Sequence, residues 1–224
     1  MTSTVPSSPA ITRRRLLAGV AGTAAGIALS SCSLGRSSIP DHGDASDDGW
    51  GGQILDPPYR KPDVTFTDAH GQPFLLRKRT AGRLALLLFG FTHCPDVCPT
   101  ELNAIARARE AVGSGAGSRP LVLFVGVDTR RDTPDVLRAY LDRIDPTFVG
   151  LTATPQVIAR ALSDLDQGQV SFGPKDATGA YDVIHPAGMF AFTDDDLAHR
   201  LYDPMVRQAA LTRDLRILGQ GRWA

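Results

Sequence analysis

The chain has 224 residues, 42% of them hydrophobic, and its 24 basic and 24 acidic side chains give a formal net charge of zero. That length and composition suit one well-cored domain plus some extra sequence, not two full domains. Neutrality, with no basic cluster beyond Arg13 to Arg15, leaves nucleic-acid binding without support. No run of about 18 or more apolar residues occurs, so no permanent membrane-spanning helix is expected.

Residues 1–11 are rich in Ser, Thr and Pro. Thr12-Arg13-Arg14-Arg15-Leu16-Leu17 then opens an Ala/Gly-rich apolar stretch to Ser31, with no acidic residue before Asp41. A charged start, a short apolar middle and small residues at its end are the layout of an export signal over 1–31. The paired arginines resemble a twin-arginine signal, and Leu29-Ser30-Ser31-Cys32 resembles the bacterial lipobox, in which the cysteine carries lipid. This reading makes Cys32 a lipid anchor and the protein extracytoplasmic, held on the outer face of the cytoplasmic membrane. Residues 32–53 are polar and aperiodic and read as a flexible tether, and 54–224 as the folded domain.

Within that domain, Val64 to Leu76 reads as a hairpin about the Asp68-Ala69-His70-Gly71 turn. Leu84 to Phe91 is a nearly unbroken apolar run, as expected of a strand buried on both faces. Cys94 and Cys98 follow it in a Pro-Asp turn that leads to a helix opening near Pro99, Thr100 and Glu101. The helix runs toward the Gly-rich break at Gly113 to Gly117. Leu121 to Val127 is a second buried strand ending at Asp128. Thr133-Pro134 and Thr154-Pro155 each read as an N-cap followed by an N1 proline, with a short strand, Phe148 to Leu151, between the two helices. Gln169 to Phe172 and Ala180 to Ile184 read as paired short strands, Ala187 to Thr193 and Leu197 to Tyr202 as a hairpin, and Pro204 to Leu218 as a closing helix. A βαβ core followed by a ββα ending is a thioredoxin-like α/β fold: a central mixed sheet flanked by helices, here with an N-terminal β-hairpin extension.

Two thiols where a buried strand hands over to a helix N-terminus are placed for reactivity, because the helix end favours thiolate over thiol. Buried cysteines are often only small hydrophobes, but the flanking turn residues put this pair at the edge of the core. Four-residue spacing sets both sulfurs on one side of a turn, able to bridge to each other or to share an ion.

Phe89 to Leu102, FGFTHCPDVCPTEL, resembles the signature of the SCO/SenC family of copper-delivery proteins, and Val127 to Pro134, VDTRRDTP, resembles that family's second signature. The family's histidine falls on His185, within Tyr181-Asp182-Val183-Ile184-His185-Pro186. The resemblance implies copper, as Cu(I) or Cu(II), held by Cys94, Cys98 and His185. It also implies delivery to the Cu_A site in subunit II of cytochrome c oxidase. The donor set agrees: two thiolates and an imidazole are soft ligands suited to copper, and three leave the ion accessible. His93 and Asp128 are expected in supporting positions. Where family members usually have Asp-His-Ser, this chain has Ile184-His185-Pro186. By analogy with the cis proline that thioredoxins set facing their cysteines, a cis His185–Pro186 bond is expected, placing the imidazole beside the thiols. The competing reading is an enzyme, a thiol-disulfide oxidoreductase that uses Cys94 and Cys98 as a redox pair to reduce target cysteines or to sense redox state, with a thiol reductant as partner. The three residues between the cysteines, against two in the usual oxidoreductases, favour metal.

Overall fold

The apolar run after Arg83 takes the middle of the molecule because it offers no polar side to water. The computed structural model describes residues 48–113 and 119–223. In chain order its first elements are β1 (Gln53–Arg60), β2 (Thr65–Asp68), β3 (Pro73–Leu75), α1 (Leu76–Thr80), β4 (Ala85–Gly90) and α2 (Val97–Val112). Then come β5 (Leu121–Gly126), α3 (Pro134–Asp142), β6 (Val149–Thr152), α4 (Pro155–Asp164), β7 (Ser171–Phe172), β8 (Val183–Ile184), β9 (Met189–Phe192), β10 (Leu197–Tyr202) and α5 (Gln208–Leu218). Eight strands form one mixed sheet in the order β1-β10-β9-β4-β5-β6-β2-β3, and β7 and β8 form a separate pair.

β4 is buried at all six positions and lies parallel to β5 and antiparallel to β9. Its side chains alternate between two cores, as the period of two requires. Leu86 and Leu88, with Val122 and Phe124 of β5, meet Leu102 and Ile105 of α2, Leu137 and Leu141 of α3, and Leu211 and Leu215 of α5. Leu87 and Phe89, with Leu123 and Val125, meet Ile158, Ala161 and Leu162 of α4 and Phe66 and Phe74 of the hairpin. This is the thioredoxin-like mixed sheet flanked by helices expected from sequence. The β2–β3 hairpin joins its far edge through β6. Both expected N-caps form: Thr133 and Thr154 accept from the backbone N–H of Val136 and Val157, each at 3.4 Å.

Two features depart from expectation. Residues 48–52, assigned to the tether, are bound to the domain. The guanidinium of Arg200, 1% exposed, donates to Asp48 Oδ2 at 2.5 Å and to Gly52 O at 3.1 Å, and lies 4.3 Å from the centre of the Trp50 ring. Gly51 N donates to the buried carboxylate of Asp214 at 2.7 Å. The chain then continues as β1, an edge strand on β10 that was not anticipated. Pro57 and Pro58 have no N–H to give, so the ladder breaks between Ile54 and Tyr59 and resumes after them. The export signal, Cys32 and the rest of the tether lie outside the described residues.

Arg200 also donates from Nε and Nη2 to the Trp223 carbonyl at 3.1 and 2.9 Å, so one side chain binds both ends of the domain. Replacing it with methionine keeps the bulk and strands these acceptors. Arg200→Met is expected to destabilise the domain by about 2–3 kcal/mol and to speed amide exchange at residues 50–52, read by chemical denaturation and hydrogen-exchange mass spectrometry.

Candidate functional site

The parallel strands β4 and β5 end side by side, Gly90 opposite Gly126, and each runs into a loop that ends at a helix. One carboxylate joins those loops. Asp132, 1% exposed, accepts the backbone N–H and the hydroxyl of Thr92 on Oδ1 at 3.0 and 2.7 Å, and the N–H of Asp128 on Oδ2 at 3.1 Å. Gly126 makes room for it, since a Cβ there would stand 2.7 Å from Asp132 Cβ. Asp132 stood inside the second signature yet carried no expected role. Its signal was that a buried turn between strand and helix leaves backbone donors that only a nearby acceptor can satisfy.

The Thr92 hydroxyl gives its proton to Asp132, so its oxygen accepts from Nδ1 of His93, 3.1 Å away. That fixes His93 as the Nδ1–H tautomer on an exposed ring beside Cys94. Cys94 N donates to Phe91 O at 3.1 Å, closing the turn that brings the first thiol to the mouth of α2. Helix α2 starts at Val97, earlier than expected, so Cys98 lies in its first turn and Glu101 falls beyond it, buried. Both cysteines are free thiols.

The two thiols differ in kind. Cys94 is half-buried, and its Sγ accepts the Cys98 backbone N–H at 3.4 Å. Cys98 is 3% exposed, and a Cβ added to Gly90 would come within 2.9 Å of its sulfur. Burial pushes the Cys98 thiol far up, with the neighbouring Cys94 adding to the effect. The expectation that the helix end favours thiolate on both cysteines is therefore corrected for Cys98, whose desolvation outweighs the dipole. Behind it, the Tyr140 hydroxyl and Glu101 Oε1 are buried with no hydrogen-bond partner among the described residues. Burial, reinforced by the charge of Asp203, raises the Glu101 carboxyl to about 7.

His185 leaves β8 and packs edge-on against Phe91, ring centres 5.7 Å apart. Its Nδ1 lies 2.8 Å from Pro186 O; a carbonyl can only accept, so Nδ1 is the donor there and Nε2 is the ring nitrogen left to act as a ligand. The His185–Pro186 bond is not cis: among the described residues the cis bond is Asp56–Pro57. The analogy with thioredoxins therefore does not extend to this bond, and His185 reaches Phe91 with a trans proline after it. Among the described residues no group of three or more His, Cys, Asp or Glu stands close enough to hold an ion. The fold thus gathers Cys94 with Cys98 and sets His185 against the same loop, with the imidazole not yet joined to them.

Asp128, fully buried, lies two residues beyond the end of β5 and accepts from the Tyr181 hydroxyl, from Arg131 Nε and from Arg130 N. Its support reaches the His185 segment through Tyr181, a residue to which sequence reasoning gave no role.

Residues 55–219 match the model of the SCO1/SenC family. The chain belongs to the SCO1/SenC family. Among its relatives is the mitochondrial SCO2 homolog of Bos taurus, 33% identical over 136 residues, which are 60% of this chain and 51% of the relative. The chain spans about half the length or less of the curated relatives it matches first. Among solved structures, apo Sco1 of Thermus thermophilus is 33% identical with a TM-score of 0.65, over 74% of this chain and 94% of that one. Copper-bound ScoI of Bradyrhizobium japonicum is 29% identical with a TM-score of 0.63, over 71% and 99%.

In this SCO1/SenC domain the raised Glu101 carboxyl ties stability to pH. The folded state holds the Glu101 proton from the ordinary 4.5 up to about 7, while the unfolded chain has released it. Stability from this group is therefore full below about 4.5, falls as pH rises to about 7, and is level above that. Glu101→Gln removes the titration. Its stability relative to the parent is expected to increase across that window and then stay constant, measured by urea unfolding at a series of pH values.

Proposed function

We propose that this protein is an extracytoplasmic copper chaperone that carries its ion on Cys94, Cys98 and His185 and delivers it to the Cu_A site in subunit II of a cytochrome c oxidase. The observation that carries the reading is the thiol pair at the end of β4, with an imidazole on the adjacent loop whose Nδ1 is taken by Pro186 O, so that Nε2 is the nitrogen left to bind. Family membership and the copper held by related ScoI proteins of Bradyrhizobium japonicum and Arabidopsis thaliana support it. The residues fit the cargo: two sulfurs and one imidazole nitrogen are soft donors, and three of them leave a side open for transfer. Because the imidazole stands apart from the sulfurs, loading brings His185 over to the pair. Cys94, nearer the surface, is the sulfur that meets the acceptor's ligands, and Cys98 holds from below. The tether and the lipid on Cys32 keep the domain beside a membrane-bound acceptor.

The same asymmetry favours a second reading, a thiol-disulfide oxidoreductase. The Cys94 thiolate attacks a target disulfide and expels one target thiolate, which takes up a proton. Cys98 then gives up its proton and displaces the second target thiol, leaving the target as a dithiol and Cys94–Cys98 as a disulfide. No step needs His185, so that residue separates the two.

The reduced full chain is expected to bind one copper per molecule, with a thiolate-to-Cu(II) charge-transfer band that is lost in His185→Ala while disulfide reduction by the variant is retained. An absence of copper binding by the reduced parent chain overturns the chaperone reading and leaves the reductase.

A further inference from the structure

The ligands of the proposed centre stand on supports of unequal firmness. Cys94 and Cys98 sit on the β4–α2 corner, locked by Asp132. His185 sits at the end of the β7–β8 hairpin, whose strands, among the described residues, pair with each other alone and are two residues long. The hairpin leans on the body through half-buried Val170 and Val183. Beside them a cleft of about 200 Å³ remains open between Phe172 and Val127, Pro155 and Ile158.

One side chain of the hairpin is fastened with full hydrogen-bonding geometry to the β5–α3 turn. The Tyr181 hydroxyl lies 3.0 and 2.9 Å from the two carboxylate oxygens of Asp128. Its ring is covered by the Arg131 guanidinium, 4.0 Å from the ring centre, and Arg131 also donates to Asp128. Phe172 meets the same ring edge-on at 5.9 Å. Phenol, guanidinium and buried carboxylate close on one another, so the Tyr181 end of the arm is a fixed point. His185 follows four residues later, within about 13 Å of extended chain.

The geometry points to Tyr181 as a positioning residue for the metal centre: its bond to Asp128 confines the His185 arm to the neighbourhood of the thiol pair. This inference rests on the reading of His185 as a copper ligand. An imidazole held within a short radius presents a high effective concentration to an ion already on the two sulfurs, whereas one on a loose hairpin does not. Asp128 then acts on the site at one remove, through the phenol, in the way that outer hydrogen-bond partners orient the ligands of metal sites.

The test uses the reduced full chain and titrates Cu(I) against a chromophoric chelator in four forms: parent, Tyr181→Phe, His185→Ala and the double variant. Tyr181→Phe keeps the ring against Arg131 and Phe172 and removes only the hydroxyl. It is expected to weaken copper binding about tenfold, with the Cu(II)–thiolate band unchanged in position at saturation and the alkylation rate of Cys94 unchanged. The double variant is expected to bind no more weakly than His185→Ala alone. Parent-like binding by Tyr181→Phe overturns the inference. So does a tenfold loss that persists in the His185→Ala background, since Tyr181 then acts on something other than the imidazole. Parent-like binding by His185→Ala alone removes the ligand assignment itself and this inference with it, an outcome visible from that single variant.

Discussion

The working end of this domain depends on the carboxylate of Asp132. Parallel strands deliver their loops to the same end of a sheet but nothing in the ladder fixes one loop to the next. Here one buried side chain accepts from Thr92 on the first loop and from Asp128 on the second. Burial pushes its carboxyl up while the hydrogen bonds from Thr92 and Asp128 pull the other way. With hydrogen bonds to such a group contributing about 1.5–3 kcal/mol each, the joint is firm enough to define where Cys94 and Asp128 stand. The turn at Phe91, the tautomer of His93 and the anchoring of Tyr181 all follow from it.

Much of the architecture was legible in the sequence because its strongest patterns are local. An apolar run such as Leu84 to Phe91, short and bounded by turn residues, reads as a doubly buried strand, and Thr-Pro before helical spacing reads as a helix start. The thiol pair was legible for the same reason, as turn chemistry at a strand end. Less legible were features decided by partners far along the chain. Residues 48–52 look like linker until Arg200, some 150 residues later, supplies the partner for Asp48. β1 hides behind two prolines that an interior strand would reject and an edge strand accepts.

The site shows the same division. Spacing put both sulfurs on one side of a turn, but depth is a property of the packed state. Only the structure reveals that Gly90 opens a space into which Cys98 settles, leaving Cys94 toward the surface. The proline after His185 suggested a cis bond by analogy with thioredoxins, and the bond is trans. Asp132 and Tyr181 escaped notice because neither has chemistry of its own to offer; each matters through what it holds.

The grip of Arg200 on both ends of the domain has a mechanical side. A chain that enters a fold along an exposed edge strand peels away one hydrogen bond at a time when pulled. In this protein the backbone preceding β1 passes Asp48, Trp50 and Gly52, all held by one guanidinium that is itself tied to the carbonyl of Trp223. Tension arriving along the N-terminal residues is therefore carried past β1 into the interior of the sheet and across to the far end of the chain. Load applied at Asp48 is shared across the sheet instead of concentrated on the β1 ladder.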